Sequence, residues 1–83
     1  MEYQVVIPKK AQKELEKIDN RYRQRILAVL SVLKSNPFVG KKLRGEYGGQ
    51  YSYEVWPYRI IYEVYEHKRV VLIIRIGHRQ GIY

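Results

Sequence analysis

One change of hydrophobic period divides this chain. Up to Lys34 the apolar residues recur at helical spacing, and from Tyr51 onward they alternate or run together as in strands. The switch happens once, so the helices and most of the strands come from different halves of the sequence. With 83 residues the chain has room for one small core, and residues 1–83 are read as a single domain.

The helical half opens with a short strand candidate, Tyr3 to Ile7, β-branched and bounded by Pro8. Pro8 suits the first turn of a helix. In the segment Lys9 to Ile18, the residues Ala11, Leu15 and Ile18 form one apolar stripe, with lysines and glutamates opposite. Asp19-Asn20 breaks the pattern and offers a cap for a second helix from Arg21 to Lys34. Its apolar face is Tyr22, Ile26, Val29, Leu30 and Leu33, and Asn36-Pro37 stops it. The two helices read as a hairpin.

The segment Phe38 to Gln50 carries four glycines and reads as a loop, with a basic stretch Lys41-Lys42-Leu43-Arg44-Gly45 inside it. Three strands are expected after it. Tyr51 to Trp56 and Tyr58 to Glu66 alternate, with a turn at Pro57 between them. A second turn at His67-Lys68 leads to Arg69 to Ile76, apolar enough to be buried on both faces. The order is β-α-α-β-β-β. The expected fold is α+β: an N-terminal strand, a helical hairpin and a three-stranded antiparallel meander, with the helices on one face of a four-stranded sheet.

Charge narrows the function. Sixteen Lys and Arg against eight Asp and Glu give +8, a balance that suits a polyanionic partner, nucleic acid above all. Solubility alone is the other reading. The nine tyrosines can fill core, line an interface or stack on bases. The absence of cysteine excludes disulfides and thiolate metal sites, and the two histidines, His67 and His78, lie apart. No metal and no cofactor are expected. No apolar run approaches the length of a membrane span, and the N-terminal residues do not resemble a signal peptide. A cytoplasmic protein without membrane contact is the expectation.

Several polar residues stand out on the strands. Arg59 opens an apolar strand, Arg75 lies near the end of another, and Arg79 follows it. Arginine suits bidentate recognition of phosphate, and three at one end of a sheet would make a phosphate site. Salt bridges to Glu54 and Glu63 are the alternative. Glu54 is a candidate base, and His78 and Tyr83 near the C-terminus are candidate proton donors, Tyr83 also a stacking surface. An exposed histidine without a role is the other reading of His78.

Three motifs in order then carry a resemblance: Lys42-Leu43-Arg44-Gly45, Tyr58-Arg59-Ile60-Ile61-Tyr62-Glu63-Val64, and Ile74-Arg75-Ile76-Gly77-His78-Arg79 with a closing Ile82-Tyr83. Together, over nearly the whole chain, they resemble the RelE/ParE toxin superfamily. The resemblance implies the toxin of a type II toxin–antitoxin pair, with a cognate antitoxin as partner. In the RelE branch the toxin enters the ribosomal A site and cuts mRNA. The 2′-hydroxyl attacks the adjacent phosphate, no metal is needed, and the ribosome and mRNA are partners.

On this resemblance Arg59 and Arg79 contact the scissile phosphate. Tyr83 stacks on a base or aids proton transfer, and His78 is the candidate acid. Lys42 and Arg44 match the basic loop that touches RNA backbone, and Lys41 beside them and Arg75 are further candidates for RNA contact. One departure concerns the strand before the tyrosine–arginine motif. The best-studied branch has two lysines there, where this chain has Ser52 and Glu54. The ParE branch, which poisons DNA gyrase by binding, shares the fold and much of the arginine pattern. It is the alternative reading, together with a catalytically weak relative.

Overall fold

The computed structural model describes residues 2–45 and 48–82. Strand β1 (Gln4–Val6) leads through Pro8 into helix α1 (Lys9–Glu16), for which Pro8 is the extended N-cap residue. Asp19 caps α2 (Asn20–Ser35), its carboxylate accepting from the Arg21 backbone N–H at 2.9 Å. Arg23 ties the two helices at their junction by donating to the carbonyls of Glu16 and Ile18. The last carbonyls of a helix have no partner within it, so a nearby arginine takes the place of a glycine cap.

The segment after α2 departs from the expected loop. Pro37–Val39 form one 3-10 turn, and Lys41–Lys42 form a two-residue strand, β2. β2 pairs antiparallel with β3 (Gln50–Val55), Lys41 opposite Ser52 and Lys42 opposite Tyr51. The sheet therefore has five strands and not four. Two lysines carry no strand signal of their own. What seats them is Tyr62, fully buried two strands away. Its hydroxyl donates to the Pro37 carbonyl at 2.8 Å and accepts from the Gly40 N–H at 3.1 Å. A Cβ at Gly40 would collide with that hydroxyl, which explains the glycine.

β4 (Tyr58–Tyr65) and β5 (Val70–His78) complete the sheet, whose order is β1-β5-β4-β3-β2. β2 to β5 are antiparallel neighbours, but β1 lies parallel to β5, so the sheet is mixed. The helical hairpin carries the chain from β1 at one edge of the sheet to β2 at the other, and the meander then returns through β3 and β4 to bring β5 beside β1. Opposite β4, β5 carries one extra residue: Ile61 faces Arg75 while Tyr62 faces Ile73, leaving Ile74 as a bulge.

Both helices pack on one face, α1 along β5 and α2 against β1 and β3. The core joins Ala11, Leu15, Ile26, Leu30 and Leu33 to Ile60, Tyr62, Val71, Ile73 and Ile76 of the strands. Ile61 points the other way, as the period of two demands, and is nevertheless fully buried. The face without helices is thus covered in part, and the C-terminal segment supplies the cover. Among the described residues no helix is long and apolar enough to cross a membrane.

Candidate functional site

The site grows from the strand register. Residues directly opposite in an antiparallel pair share a face. Lys41 stands opposite Ser52, Glu54 opposite Arg59, and Arg59 opposite Gly77. These residues alternate with the core positions Tyr53, Val55 and Ile60, so they lie on the face turned away from the helices. Lys41, Ser52, Glu54 and Arg59 line one open depression of about 300 Å3 there.

The C-terminal segment completes it. Gly77 offers no side chain, and Ile82 packs against its backbone, 3% exposed. The Ile82 carbonyl accepts from Arg59 Nη1 at 3.4 Å, which fixes the half-buried guanidinium. Arg79 anchors through its own backbone N–H, donating to the Pro57 carbonyl at 2.9 Å. Its side chain then reaches Glu54, with Nε to Oε2 at 2.7 Å. The pair is short and charge-assisted, yet 39% and 45% exposed, so it adds little to stability and stands open to a ligand. The result is one carboxylate paired with Arg79 and directly across the strand pair from Arg59, with a lysine lining the same depression. Such a group holds an oxyanion on its cations and presents a proton acceptor beside it.

Other expected residues lie elsewhere. Arg75 does not join Arg59 and Arg79. β1 ends at Val6 and leaves the later edge of β5 unpaired, and α1 covers that edge with Glu14. One Glu14 oxygen accepts from the Ile76 N–H at 2.8 Å, the other from Arg75 Nε at 3.2 Å. Arg75 thus serves the sheet edge, and the expected convergence of three arginines becomes two. His78 stands opposite Tyr58, with ring centroids 6.0 Å apart, and Tyr58 packs on Tyr22 of α2. Its ring is therefore on the helix side, and its Nδ1 accepts from the Gln80 N–H at 3.3 Å.

Lys42 shares the face of Tyr51 rather than that of Lys41, and Arg44 is exposed beyond β2, next to Gly45 at φ 71°. Tyr83 lies outside the described residues. Among the described residues Glu63 pairs with no arginine: its carboxylate accepts from Tyr65 and Gln50. That hydrogen bond holds the Tyr65 hydroxyl above its ordinary pKa. The roles of Gly77 and Ile82 were not legible in the sequence, because a glycine followed by an isolated isoleucine gives no periodic signal.

The ParE toxin family of type II toxin–antitoxin systems, parDE, matches residues 5–83. A curated relative, Toxin RelG of Mycobacterium tuberculosis, is 32% identical over 85 residues, covering 100% of this chain and 98% of its own. Among solved structures, the toxin–antitoxin complex RelBE2 from Mycobacterium tuberculosis superposes with a TM-score of 0.87 at 30% identity, over 95% of this chain and 100% of that one. The archaeal RelE–RelB complex from Pyrococcus horikoshii OT3 gives 0.84 at 27% identity, over 99% of this chain and 100% of its counterpart. With fold, order of elements and sequence in agreement over almost the whole length, the chain belongs to the RelE/ParE superfamily of type II toxin–antitoxin toxins.

Proposed function

We propose that the Glu54–Arg59–Arg79 group is the active site of a ribosome-dependent mRNA endonuclease that inhibits translation. The observation that carries this reading is the Glu54 carboxylate, held at 2.7 Å by Arg79 and opposite Arg59 in the sheet. Glu54 takes the proton of the 2′-hydroxyl, and the 2′-oxygen attacks the adjacent phosphorus. Arg59 and Arg79 bind the phosphorane oxygens as their charge grows. The bond to the 5′-oxygen breaks, and that oxygen receives a proton. The products are a 2′,3′-cyclic phosphate and a 5′-hydroxyl. For His78 to donate the last proton, its ring must leave Tyr58; Tyr83 is the other candidate donor.

Lys41 bears on the departure at Ser52. It stands directly across the strand pair from Ser52, so a cation sits beside the position where lysine is expected. The rest of the basic surface, with +8 overall, suits contact with RNA on the ribosome, where the message lies in the A site. Lys42 and Arg44 are placed to contribute from the edge of the sheet. A cognate antitoxin is the expected protein partner, as in the complexes of the similar toxins. It neutralises by covering Arg59 and Arg79.

The test is primer extension on a reporter mRNA in a cell-free translation reaction. Breaks in codon phase that vanish without ribosomes, and that Arg79→Ala abolishes, are expected. One observation favours a second reading: the matching family is that of ParE toxins, and the ParE branch poisons gyrase. An intact message from a protein that still arrests growth and blocks gyrase supercoiling would move the assignment there.

A further inference from the structure

Trp56 is the only tryptophan of the chain, and it is 66% exposed. Indole is among the most apolar side chains and is usually well buried. Among the described residues no hydrogen bond, ion pair or ring contact accounts for it at this place. Its neighbours Val55 and Tyr58 already pack against the core, and the turn needs only residues that reverse the chain. Its surroundings are specific, however. Trp56 and Pro57 form the β3–β4 turn, and the Pro57 carbonyl receives the Arg79 backbone N–H at 2.9 Å. Glu54 lies two residues before Trp56 and Arg59 three after it. An open aromatic side chain on a turn that is bonded to Arg79 and lies three residues from Arg59 offers the combination that holds single-stranded nucleic acid: cations take the backbone and a ring takes a base.

Resting on the reading of Arg59 and Arg79 as the phosphate site, we propose that Trp56 is a base-stacking platform for single-stranded RNA. It takes a nucleobase flanking the phosphate held by those arginines. Stacking depends on a π-face and not on base identity, so Trp56 sets affinity and register while leaving sequence preference to other contacts. The chemical class of the occupant is a ribonucleotide base in an unpaired strand.

A lone tryptophan reports on itself. The purified toxin is titrated with a mixed-sequence oligoribonucleotide, and indole fluorescence is followed alongside the anisotropy of an end-labelled copy of the same oligonucleotide. Quenching that saturates with the anisotropy is expected, and an abasic ribose-phosphate chain should bind with far less quenching. Trp56→Ala should weaken binding by about tenfold, and Trp56→Phe should restore most of it. Circular dichroism should be unchanged in both variants, because the side chain is exposed.

Anisotropy that reports Arg79-dependent binding without any fluorescence change would overturn the platform and leave the phosphate site standing. So would quenching by an antitoxin peptide but not by RNA, which would make Trp56 a protein contact. No binding by the native protein would remove the phosphate site first, and the platform with it.

Discussion

Arg79 meets Glu54 at 2.7 Å, and this single ion pair sets what each residue can do. While Glu54 holds Arg79, the guanidinium is aimed across the open face and the carboxylate stays close to two cations. On the proposed nuclease reading, a substrate phosphate competes with Glu54 for the same donors. On that reading, removing either arginine takes away charge stabilisation that grows only as the phosphorane forms. Arg59→Ala and Arg79→Ala should therefore each lower the cleavage rate by about 10²–10³-fold. Their circular dichroism should match the native protein, since neither guanidinium belongs to the core. Glu54→Gln separates two roles. As the base, Glu54 is worth about 10²–10⁴ in kcat. As a competitor of phosphate, its loss should lower KM. Steady-state cleavage of a ribosome-bound message should show both falling together. An unchanged kcat with a lower KM would reduce Glu54 to a competitor.

The elements around this pair differ in how plainly the sequence announces them. α1, α2 and the meander follow from stripes at helical spacing and from alternation, so their existence and order were legible. β2 was not, because Lys41-Lys42 is drawn into the sheet by Tyr62 from a distant part of the chain, and no local pattern records that. The parallel pairing of β1 was equally hidden, since three residues carry no direction. The same limit acted at the site: three arginines were expected to converge, but Arg75 is diverted by Glu14 across 61 positions of sequence.

The Tyr62 anchor of β2 can be tested. Its burial pushes the hydroxyl pKa up to about 12. A group with a raised folded pKa stabilises the protein below its unfolded pKa and loses that contribution as pH rises toward the folded value. Thermal stability should thus decline between about pH 10 and pH 12. Tyr62→Phe should remove this residue's part of the decline. At neutral pH the same variant should be less stable by about 1–3 kcal/mol, because the Gly40 N–H and Pro37 carbonyl lose their partner. Chemical denaturation at neutral pH and again between about pH 10 and pH 12 measures both.

At the scale of the molecule, +8 on so small a surface draws any polyanion toward the protein, but only some of these charges sit where a strand would lie. Lys41, Arg59 and Arg79 share the open face. Lys9, Lys10, Lys13 and Lys17 line a groove on α1, the element that covers the far edge of β5. A cation that binds an RNA phosphate releases condensed counterions, and each such contact adds about 0.7 to the slope of log affinity against log salt for a single strand. A cation that merely raises the net charge adds much less. Arg79→Ala should therefore lower the slope for oligoribonucleotide binding by about 0.7, and Lys41→Ala should do the same. Lys13→Ala should leave it nearly unchanged although it removes the same unit of charge. Binding isotherms between about 50 and 200 mM salt have the range to separate these outcomes. Equal losses for all three would mean that the strand is held by a diffuse field, and the open face would lose its claim to be the place where RNA is bound.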